Sequence, residues 1–317
     1  MKSKYTASFS KIATVVVTYN RKELLMECLP CIEAQTFKPH SVFIIDNAST
    51  DGTKELLVHD GRYFNKQTNG INFVYVGLDE NTGGAGGFYA GMKTAFESPE
   101  NFDAVWVMDD DGLPDKECLS ILVQYLGKHD YIAPLVLAKE DTSTLAFNYH
   151  GSYNLKELLK QGKLIEDYAC PMNAILFSRK LLKTIGFPIP NLFIWGDEVN
   201  YTLRAKDAGF IPVTITSAIH VHPKDRVQFA STLFGHRIIV APSYWREYCM
   251  IRNTIFNLKS RRRCHGVGLI KDIFLYHLPY YLFYKKDIKA AVCCLEAFFS
   301  GYKKNPDKGY LKWMKIK

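Results

Sequence analysis

The sequence predicts an α/β fold: a mostly parallel, Rossmann-like sheet flanked by helices, with a helical C-terminal extension. Short β-branched runs alternate with segments of helical spacing in the first part of the chain. This alternation is typical of a parallel sheet that helices cover on both faces. After residue 243 the sequence changes to long helical stretches rich in Tyr, Phe and basic residues. We therefore divide the chain into an α/β domain, 1–240, and a helical region, 241–317.

The predicted strands and helices follow one another along the chain. Continuous apolar runs are expected of parallel strands that are buried on both faces. Four such strands are predicted at residues 12–18, 42–46, 73–76 and 104–108. Helices are predicted over 21–34 with Asn20 as its cap, from near residue 52, and up to near residue 96. Further on, the sequence predicts a strand at 174–178, a helix at 196–209 and a strand at 212–219.

Polar residues follow each of the first four predicted strands. In open α/β sheets, ligands bind beyond the carboxyl ends of the strands, so we expect these residues to form one site. They are Thr18, Tyr19, Asn20 and Arg21 after the first strand, Asp46 and Asn47 after the second, Asn81, Gly83, Gly84, Gly86 and Gly87 after the third, and Asp109, Asp110 and Asp111 after the fourth.

The three consecutive aspartates are the sharpest of these features. Hard divalent cations prefer oxygen ligands, and Mg²⁺ typically takes one or two carboxylates together with substrate phosphates. Three acids at the end of an apolar strand would repel one another strongly unless a cation lies among them. A solvated acidic turn containing Gly112 and Pro114 is the alternative, but it does not explain the apolar strand that precedes it. We therefore predict a metal and diphosphate site at Asp109–Asp111.

The glycines of segment 81–88 would let backbone amides approach a phosphate or a sugar closely. The segment is not a Walker loop, because no Gly-Lys-Ser/Thr follows it. The full dinucleotide fingerprint is also missing at the first strand. Since glycines also serve plain turns, this segment supports the predicted site only together with the others.

Two further groups of residues could complete the chemistry. Asp197 and Glu198 follow a Trp-Gly pair and open a predicted helix, where acids often only complement the helix dipole. In a cleft, one of them could act as a general base. His220 and His222 lie two residues apart at a strand end and therefore share a face. Either could ligate the metal as a neutral imidazole, although a lone histidine is more often structural.

The chain carries a formal net charge of +8, which attracts anionic partners. It contains no run of 18 or more apolar residues, so we expect no spanning helix. Residues 273–284 are mainly apolar, and Lys285, Lys286 and Lys289 follow them. This pattern fits either an interfacial amphipathic helix or the core of a helical subdomain. No signal peptide is visible, so we expect a cytoplasmic protein. The basic, aromatic C-terminal region leads us to expect that it is peripheral on the inner face of the membrane. We expect no nucleic-acid partner.

Taken together, these motifs resemble the inverting glycosyltransferases of family 2, which have the GT-A fold. The resemblance spans roughly residues 11–223 and is carried by segments 15–21 and 44–53, by the triple aspartate, and by the Trp-Gly-Asp-Glu segment. It implies that 1–240 is the nucleotide-sugar-binding catalytic domain and that 241–317 serves acceptor or membrane association. It also implies that a UDP-sugar is the donor and that Mn²⁺ or Mg²⁺ is the metal.

The same resemblance implies a role for each site residue. Thr18–Asn20 and Asp46 would hold the nucleotide base, while Asp109 would contact the ribose or the metal. Asp111 and His222 would ligate the metal, and Asp110 could face the sugar. Asp197 or Glu198 would take the proton from the acceptor hydroxyl. An alignment on Leu203-Arg204 puts the base at Glu198, whereas the usual acid type of the family favours Asp197, so both stay candidates.

Within the family, the glycine segment, the triple aspartate and residues 193–198 are similar to those of galactofuranosyltransferases. This similarity implies transfer of galactofuranose from UDP-galactofuranose to a hydroxyl of a cell-surface glycan or lipid-linked acceptor. Rhamnosyltransferases share much of the pattern, so dTDP-rhamnose is the alternative donor. Segment 244–253 is similar to one that follows the catalytic domain in these enzymes. Trp195, Arg252 and Asn253 are therefore candidate acceptor contacts.

Two other classes of protein fit parts of the pattern. A nucleotidyltransferase would also combine an aspartate pair with a parallel sheet, but it normally carries a basic glycine-rich loop after the first strand. Here Val15–Arg21 stands in that place. A non-catalytic sugar- or membrane-binding protein could keep the fold without the chemistry, and the intact acids argue against that reading.

Overall fold

The chain folds into two compact units in the computed structural model. The structure describes residues 11–149, 152–224, 227–232, 235–260, 271, 273–303 and 306–316. The first unit comprises Met1–Pro188 and Tyr201–Asp225, and the second comprises Ile189–Asn200 and Arg226–Lys317. The short segment before Tyr201 therefore belongs with the C-terminal part of the chain.

The first unit is built on one mixed sheet. Its strands are β1 (Ile12–Thr18), β2 (Ser41–Asp46), β3 (Lys66–Thr68), β4 (Ile71–Gly77), β5 (Ala104–Asp109), β6 (Leu113–Pro114), β7 (Tyr131–Ala138), β8 (Thr144–Tyr149), β9 (Ser152–Asn154), β10 (Leu164–Glu166), β11 (Ile175–Ser178) and β12 (Val213–His222). The main path runs in the order β10-β12-β7-β11-β5-β1-β2-β4-β3. Within it, β4, β2, β1 and β5 are parallel neighbours. The predicted α/β class and its four parallel strands are confirmed.

Helices cover both faces of this sheet. They are α1 (Lys22–Glu33), α2 (Thr53–Asp60), α3 (Gly83–Glu97), α4 (Cys118–Val123), α5 (Leu155–Leu159), α6 (Arg179–Ile185) and α7 (Asp197–Asp207), whose first four residues belong to the second unit. Val16 packs with Leu25 and Leu29 of α1, while Val15 and Val17 pack with Phe88 of α3. Because side chains alternate along β1, the continuous valine run is buried from both sides.

The predicted cap of the first helix is wrong. Arg21 is the residue that precedes α1, and its own side chain does not cap the helix. The Asn20 side chain instead accepts a hydrogen bond from the Thr50 amide at 2.7 Å, and Asn20 has a φ of 52°. Asn20 thus joins the loop after β1 to the loop after β2, which places both loops at one edge of the sheet.

The chain beyond β5 returns to the same edge. Strand β6 pairs with β12, so that Pro114 lies opposite His220 and Leu113 opposite Val221. Strand β12 also runs parallel to β7, with His222 opposite Ala138. The pairing of β6 with β12 brings the end of β12 beside the turn that carries the aspartates.

The second unit is a small hairpin with helices. It contains β13 (Gln228–Ser231), β14 (Arg237–Val240), α8 (Tyr244–Ser260), two π-helical segments (Ile273–His277 and Tyr280–Tyr284), α9 (Ile288–Gly301) and α10 (Tyr310–Met314). Its core combines Phe193 and Ile238 with apolar residues of these helices. Because the hairpin and the Phe193 segment pack into this core, the second unit begins earlier than the boundary predicted near residue 240. In the part of the chain that the structure describes, no helix is long and apolar enough to cross a membrane.

Candidate active site

The carboxyl ends of the parallel strands bring the predicted donor residues to one edge of the first unit. The register pairs Thr18 with Asp46, Val17 with Asp109, and Asp46 with Gly77. Polar residues that are distant in sequence therefore follow strand ends that lie side by side. The exposed Tyr19 side chain lies in the loop after β1 at the same edge.

Asp110 is buried between the ends of β1 and β5, and its charge is balanced by the chain itself. Its carboxylate accepts hydrogen bonds from Thr18 Oγ1 at 2.7 Å and from Arg21 Nη1 at 3.2 Å. Arg21 Nη1 also donates to Asp111 Oδ2 at 3.0 Å. The cation expected among the three acids is thus supplied in part by the Arg21 guanidinium, which contacts two of them, and a metal at this position stays a prediction.

Burial and mutual repulsion shape the titration of these acids. Burial raises the pKa of Asp110 to about 6, although Arg21 and the Thr18 hydroxyl act in the opposite direction. Burial, together with the charges of Asp111 and Asp110, raises the pKa of Asp109 to about 8. Asp109 is thus the acid of this cluster that is most easily protonated, and any cation bound beside it would favour its charged form.

The pair formed by Asp111 and His222 has the chemistry of a metal site. His222 Nδ1 lies 2.6 Å from the Pro223 carbonyl oxygen, so this nitrogen carries a proton. In the neutral imidazole Nε2 is then an acceptor, yet it lies 3.1 Å from Asp111 Oδ1, which is also an acceptor. This contact is favourable when the imidazole is protonated or when a cation binds both atoms. A carbonyl that orients the imidazole in this way is common behind metal-binding histidines.

The charges around His222 favour its protonated form. Burial lowers the pKa of His222, but the hydrogen bond and the charge of Asp111 raise it by more, and the net pKa is raised. No group of three or more His, Cys, Asp or Glu side chains in the described ranges is arranged to hold a metal ion. Carboxylate oxygens and one imidazole nitrogen nevertheless fit Mn²⁺ or Mg²⁺ as a donor set.

His220 lies in the interior instead. Its side chain is fully buried, and among the described residues neither ring nitrogen has a hydrogen-bond partner. Burial lowers its pKa to about 3, so the imidazole is neutral. A side chain on Gly112 would overlap His220 Nε2, so the glycine allows the turn after the aspartates to lie against this ring. Of the two histidines, His222 is the one that contacts an aspartate.

The residues after β2 and β4 form a second network at this edge. Asp46 is buried and accepts hydrogen bonds from the Ser49 amide at 2.8 Å and from Tyr75 Oη at 2.7 Å. The Asn47 side chain accepts from the Thr82 amide and donates to the Gly83 carbonyl, each at 2.9 Å. The predicted donor residue Asn47 therefore supports the glycine segment in this structure.

The glycine segment begins helix α3. Asn81 Oδ1 accepts a hydrogen bond from the Gly83 amide at 2.9 Å. A side chain at Gly86 would overlap Thr82, and one at Gly87 would meet Val17 of β1 at 2.5 Å. Packing thus explains these two glycines, whereas a Cβ at Gly84 would meet no atom within 4 Å. A contact of Gly83 and Gly84 with a diphosphate stays a prediction.

The candidate bases lie in the second unit, at the start of α7. Asp197 is 5% exposed. Glu198 accepts a hydrogen bond from the Gly196 amide at 3.0 Å. Arg252 and Asn253 are fully buried and bond to backbone carbonyls of the preceding segment. The expectation that the Arg252 and Asn253 side chains contact an acceptor is therefore wrong in this structure, because neither side chain reaches the surface.

A family model described as Glycosyl transferase family 2 matches residues 14–186. The chain belongs to this family of glycosyltransferases. The protein is 30% identical over 236 residues to a galactofuranosyltransferase, GlfT1, of Mycolicibacterium smegmatis, an alignment that covers 71% of this chain and 74% of the relative.

Solved structures share the fold of this glycosyltransferase. The structure of S. aureus TarS 1-349 in complex with UDP superposes with a TM-score of 0.52 at 17% identity, covering 92% of this chain and 81% of that one. The structure of GalNAc-T7 with UDP, GalNAc and Mn²⁺ gives a TM-score of 0.56 at 13% identity, covering 80% of this chain and 48% of that one. These similarities confirm the predicted GT-A fold.

Several residues that support the site of this glycosyltransferase were not predicted from the sequence. Tyr75 supports Asp46, and Asn200 and Asn257 contact each other next to the candidate bases. Tyr75 lies on the predicted third strand, one residue before its carboxyl end, and this position was the available signal. No sequence signal marks Asn257, because it lies on a distant helix.

Arg21→Met tests whether the guanidinium balances the buried acid. We expect the free energy of unfolding to fall by about 1–3 kcal/mol, less than for a fully buried pair because half of the Arg21 side chain is exposed. In the double variant Arg21→Met/Asp110→Asn the neutral amide needs no counter-charge, so part of the loss should return. Urea unfolding of the wild type, Arg21→Met, Asp110→Asn and the double variant measures this coupling. Additive losses would contradict it.

Proposed function

We propose that this glycosyltransferase transfers galactofuranose from UDP-galactofuranose to a hydroxyl of a cell-surface glycan or lipid-linked acceptor, with inversion at the anomeric carbon. The observation that carries the proposal is the cluster of Thr18, Arg21, Asp110, Asp111 and His222 at the strand ends, in a chain 30% identical to a galactofuranosyltransferase. The cluster would supply carboxylate and imidazole ligands at the edge of the sheet where ligands bind in open α/β folds.

The donor half of the proposed reaction belongs to the first unit. Asp46 would accept a hydrogen bond from the nucleotide base, and the loop Thr18–Asn20 would hold that base at the sheet edge. Asp109, Asp111 and His222 would hold Mn²⁺ or Mg²⁺. When bound, the cation would supply positive charge that stabilises the departing diphosphate. The amide of Gly84 at the start of α3 would add further stabilisation.

The acceptor half of the proposed reaction depends on the second unit. Asp197 or Glu198 would remove the proton from the acceptor hydroxyl, and its oxygen would then attack the anomeric carbon from the side opposite the diphosphate. General base catalysis of this kind typically contributes about 10²–10⁴-fold to the rate. We favour Asp197 as the base, because aspartate is the usual acid type of the family at this position.

A panel of UDP- and dTDP-sugars tests the donor and the metal together. We expect the purified protein to release UDP from UDP-galactofuranose when Mn²⁺ is present, and to lose this activity with EDTA. Asp111→Ala should lose most of the metal-dependent turnover, since it removes a proposed ligand. Nucleotide release should be measured for each sugar. Turnover of dTDP-rhamnose alone would favour the rhamnosyltransferase alternative, and full turnover by Asp111→Ala would contradict the metal assignment.

Substitution of each acid separately identifies the base. Asp197→Asn keeps the size of the side chain but cannot accept the proton, so kcat should fall about 10²–10⁴-fold with the donor KM unchanged. Glu198→Gln should fall less, because its amide oxygen can still accept the Gly196 amide. Steady-state kinetics with saturating acceptor gives both values. The reverse order of losses would assign the base to Glu198.

We also propose that the second unit associates with an anionic membrane surface on the cytoplasmic side. Phe283, Tyr284 and Ile288 are 72%, 71% and 69% exposed, and Lys285 and Lys286 lie between them. Exposed aromatic and aliphatic side chains beside lysines are suited to the boundary between headgroups and acyl chains. Each lysine near such a surface contributes about 1 kcal/mol of attraction.

Vesicle sedimentation tests this association. We expect the protein to sediment with phosphatidylglycerol vesicles at low salt, and less at high salt because ions screen the lysines. Phe283→Ser/Tyr284→Ser should remain in the supernatant. Val58→Ser is the matched control, since Val58 is an exposed apolar residue of the first unit. Equal recovery of the wild type in the supernatant at both salt concentrations would contradict the proposal.

A further inference from the structure

The segment that precedes the candidate bases has an unusual backbone. Phe193, Trp195 and Gly196 have φ values of 67°, 59° and 90°. Residues other than glycine rarely adopt such angles, and they persist only where the surrounding structure holds them. The segment leads directly into Asp197, the first residue of α7. Whatever holds this backbone therefore also sets the position of the acid pair.

Asn253 of α8 is the main contact of this segment. Its amide nitrogen Nδ2 lies 2.9 Å from the Leu192 carbonyl oxygen, 3.0 Å from that of Ile194 and 2.6 Å from that of Trp195. One fully buried side-chain amide thus donates toward three carbonyls of the strained segment. Its own oxygen accepts a hydrogen bond from Arg252 Nε at 2.9 Å, which fixes the orientation of the amide.

Asn257, one helical turn later, continues the same row of contacts. Its Nδ2 donates to the Gly196 carbonyl at 2.8 Å, and its Oδ1 accepts from Asn200 Nδ2 at 2.9 Å. Asn200 lies in the first turn of α7, three residues after Asp197. Asn253 and Asn257 are four residues apart and share a face of α8. Together they bond to the backbone before Asp197 and to the helix turn after it.

The fit between α8 and this segment is close. A Cβ on Gly196 would lie 3.0 Å from the Asn253 Cβ. Arg252 adds a hydrogen bond from Nη2 to the Leu192 carbonyl at 2.8 Å and donates from Nη1 to the Asp307 carbonyl. The Phe193 ring stacks on Tyr310 with centroids 4.2 Å apart. Hydrogen bonds and packing therefore hold the segment from several sides.

We propose that Asn253 and Asn257 are positioning residues that hold the strained segment Leu192–Gly196 and thereby place Asp197 and Glu198 for proton transfer. This inference rests on the proposed function. A base must be held within about 0.5 Å of its productive position, and a displacement of about 1 Å can cost on the order of 100-fold in rate. The hydrogen bonds described for the two amides are made within the second unit, which carries the candidate bases, so their loss should act on kcat.

Isosteric variants of the two asparagines test the role in the full-length protein. Asn253→Asp keeps the oxygen that faces Arg252 but turns an acceptor toward three carbonyls. Asn257→Asp turns an acceptor toward the Gly196 carbonyl and keeps the oxygen that faces Asn200. Thr254→Ala is the matched control, because Thr254 lies on the same helix and its hydroxyl donates to Met250 of that helix at 2.6 Å. Circular dichroism and thermal melting establish that each variant is folded.

The expected result separates catalysis from donor binding. For Asn253→Asp we expect kcat to fall on the order of 100-fold, with a smaller fall for Asn257→Asp, while donor KM and the Kd for UDP with Mn²⁺ stay unchanged. Calorimetric titration with UDP gives the second readout. Thr254→Ala should retain the wild-type kcat.

Three outcomes would overturn the inference. They are an unchanged kcat in both folded asparagine variants, a parallel loss of UDP affinity, and an equal loss of kcat in Thr254→Ala. A wild-type protein that turns over no nucleotide sugar would instead overturn the proposed function. If Asn253→Asp does not fold, the kcat and the UDP affinity of Asn257→Asp alone test the inference.

Discussion

The Asp110 carboxylate lies buried between the ends of β1 and β5, and the donor side of the site depends on how its charge is balanced. Burying an acid costs free energy unless hydrogen bonds and an opposite charge compensate it. Thr18 donates from β1, and Arg21 donates from the residue that precedes α1. The same guanidinium reaches Asp111, which in turn faces His222 at the end of β12. Contacts that begin at one buried carboxylate therefore connect the residues that would contact the donor.

The second unit uses a different means to position its acids. Its contacts to the Leu192–Gly196 segment are mainly neutral side-chain amides that donate to backbone carbonyls. Such bonds hold a strained backbone without placing a further formal charge beside a carboxylate that must accept a proton. A charged network in the first unit and mainly neutral amides in the second fit the proposed roles of the two units, since the donor carries a diphosphate and the acceptor offers a hydroxyl. In both halves of the proposed reaction, the residues that position the acids are as much a part of the site as the acids themselves.

Predictions from the sequence succeeded where a local pattern had a single physical meaning. The run Ile12–Thr18 had to be a buried parallel strand, because β-branched side chains on both faces need packing partners on both faces. Arg252 and Asn253 were assigned to the acceptor from a resemblance between segments, which carries no information on their burial. Polar side chains on an amphipathic helix are usually exposed, and only the segment that packs on α8 supplies the carbonyls that make their burial favourable.

The sequence by itself determined the α/β class, the polar residues that follow each parallel strand, and the glycosyltransferase motifs. These features depend on periodicity and on residues that are adjacent in the chain. Only the tertiary structure decided that Arg21 contacts two aspartates, that His222 and not His220 faces Asp111, and that Asn253 holds the Trp195 carbonyl. Each of these contacts joins residues far apart in sequence. Their geometry follows from strand pairing and helix packing, which no local pattern encodes.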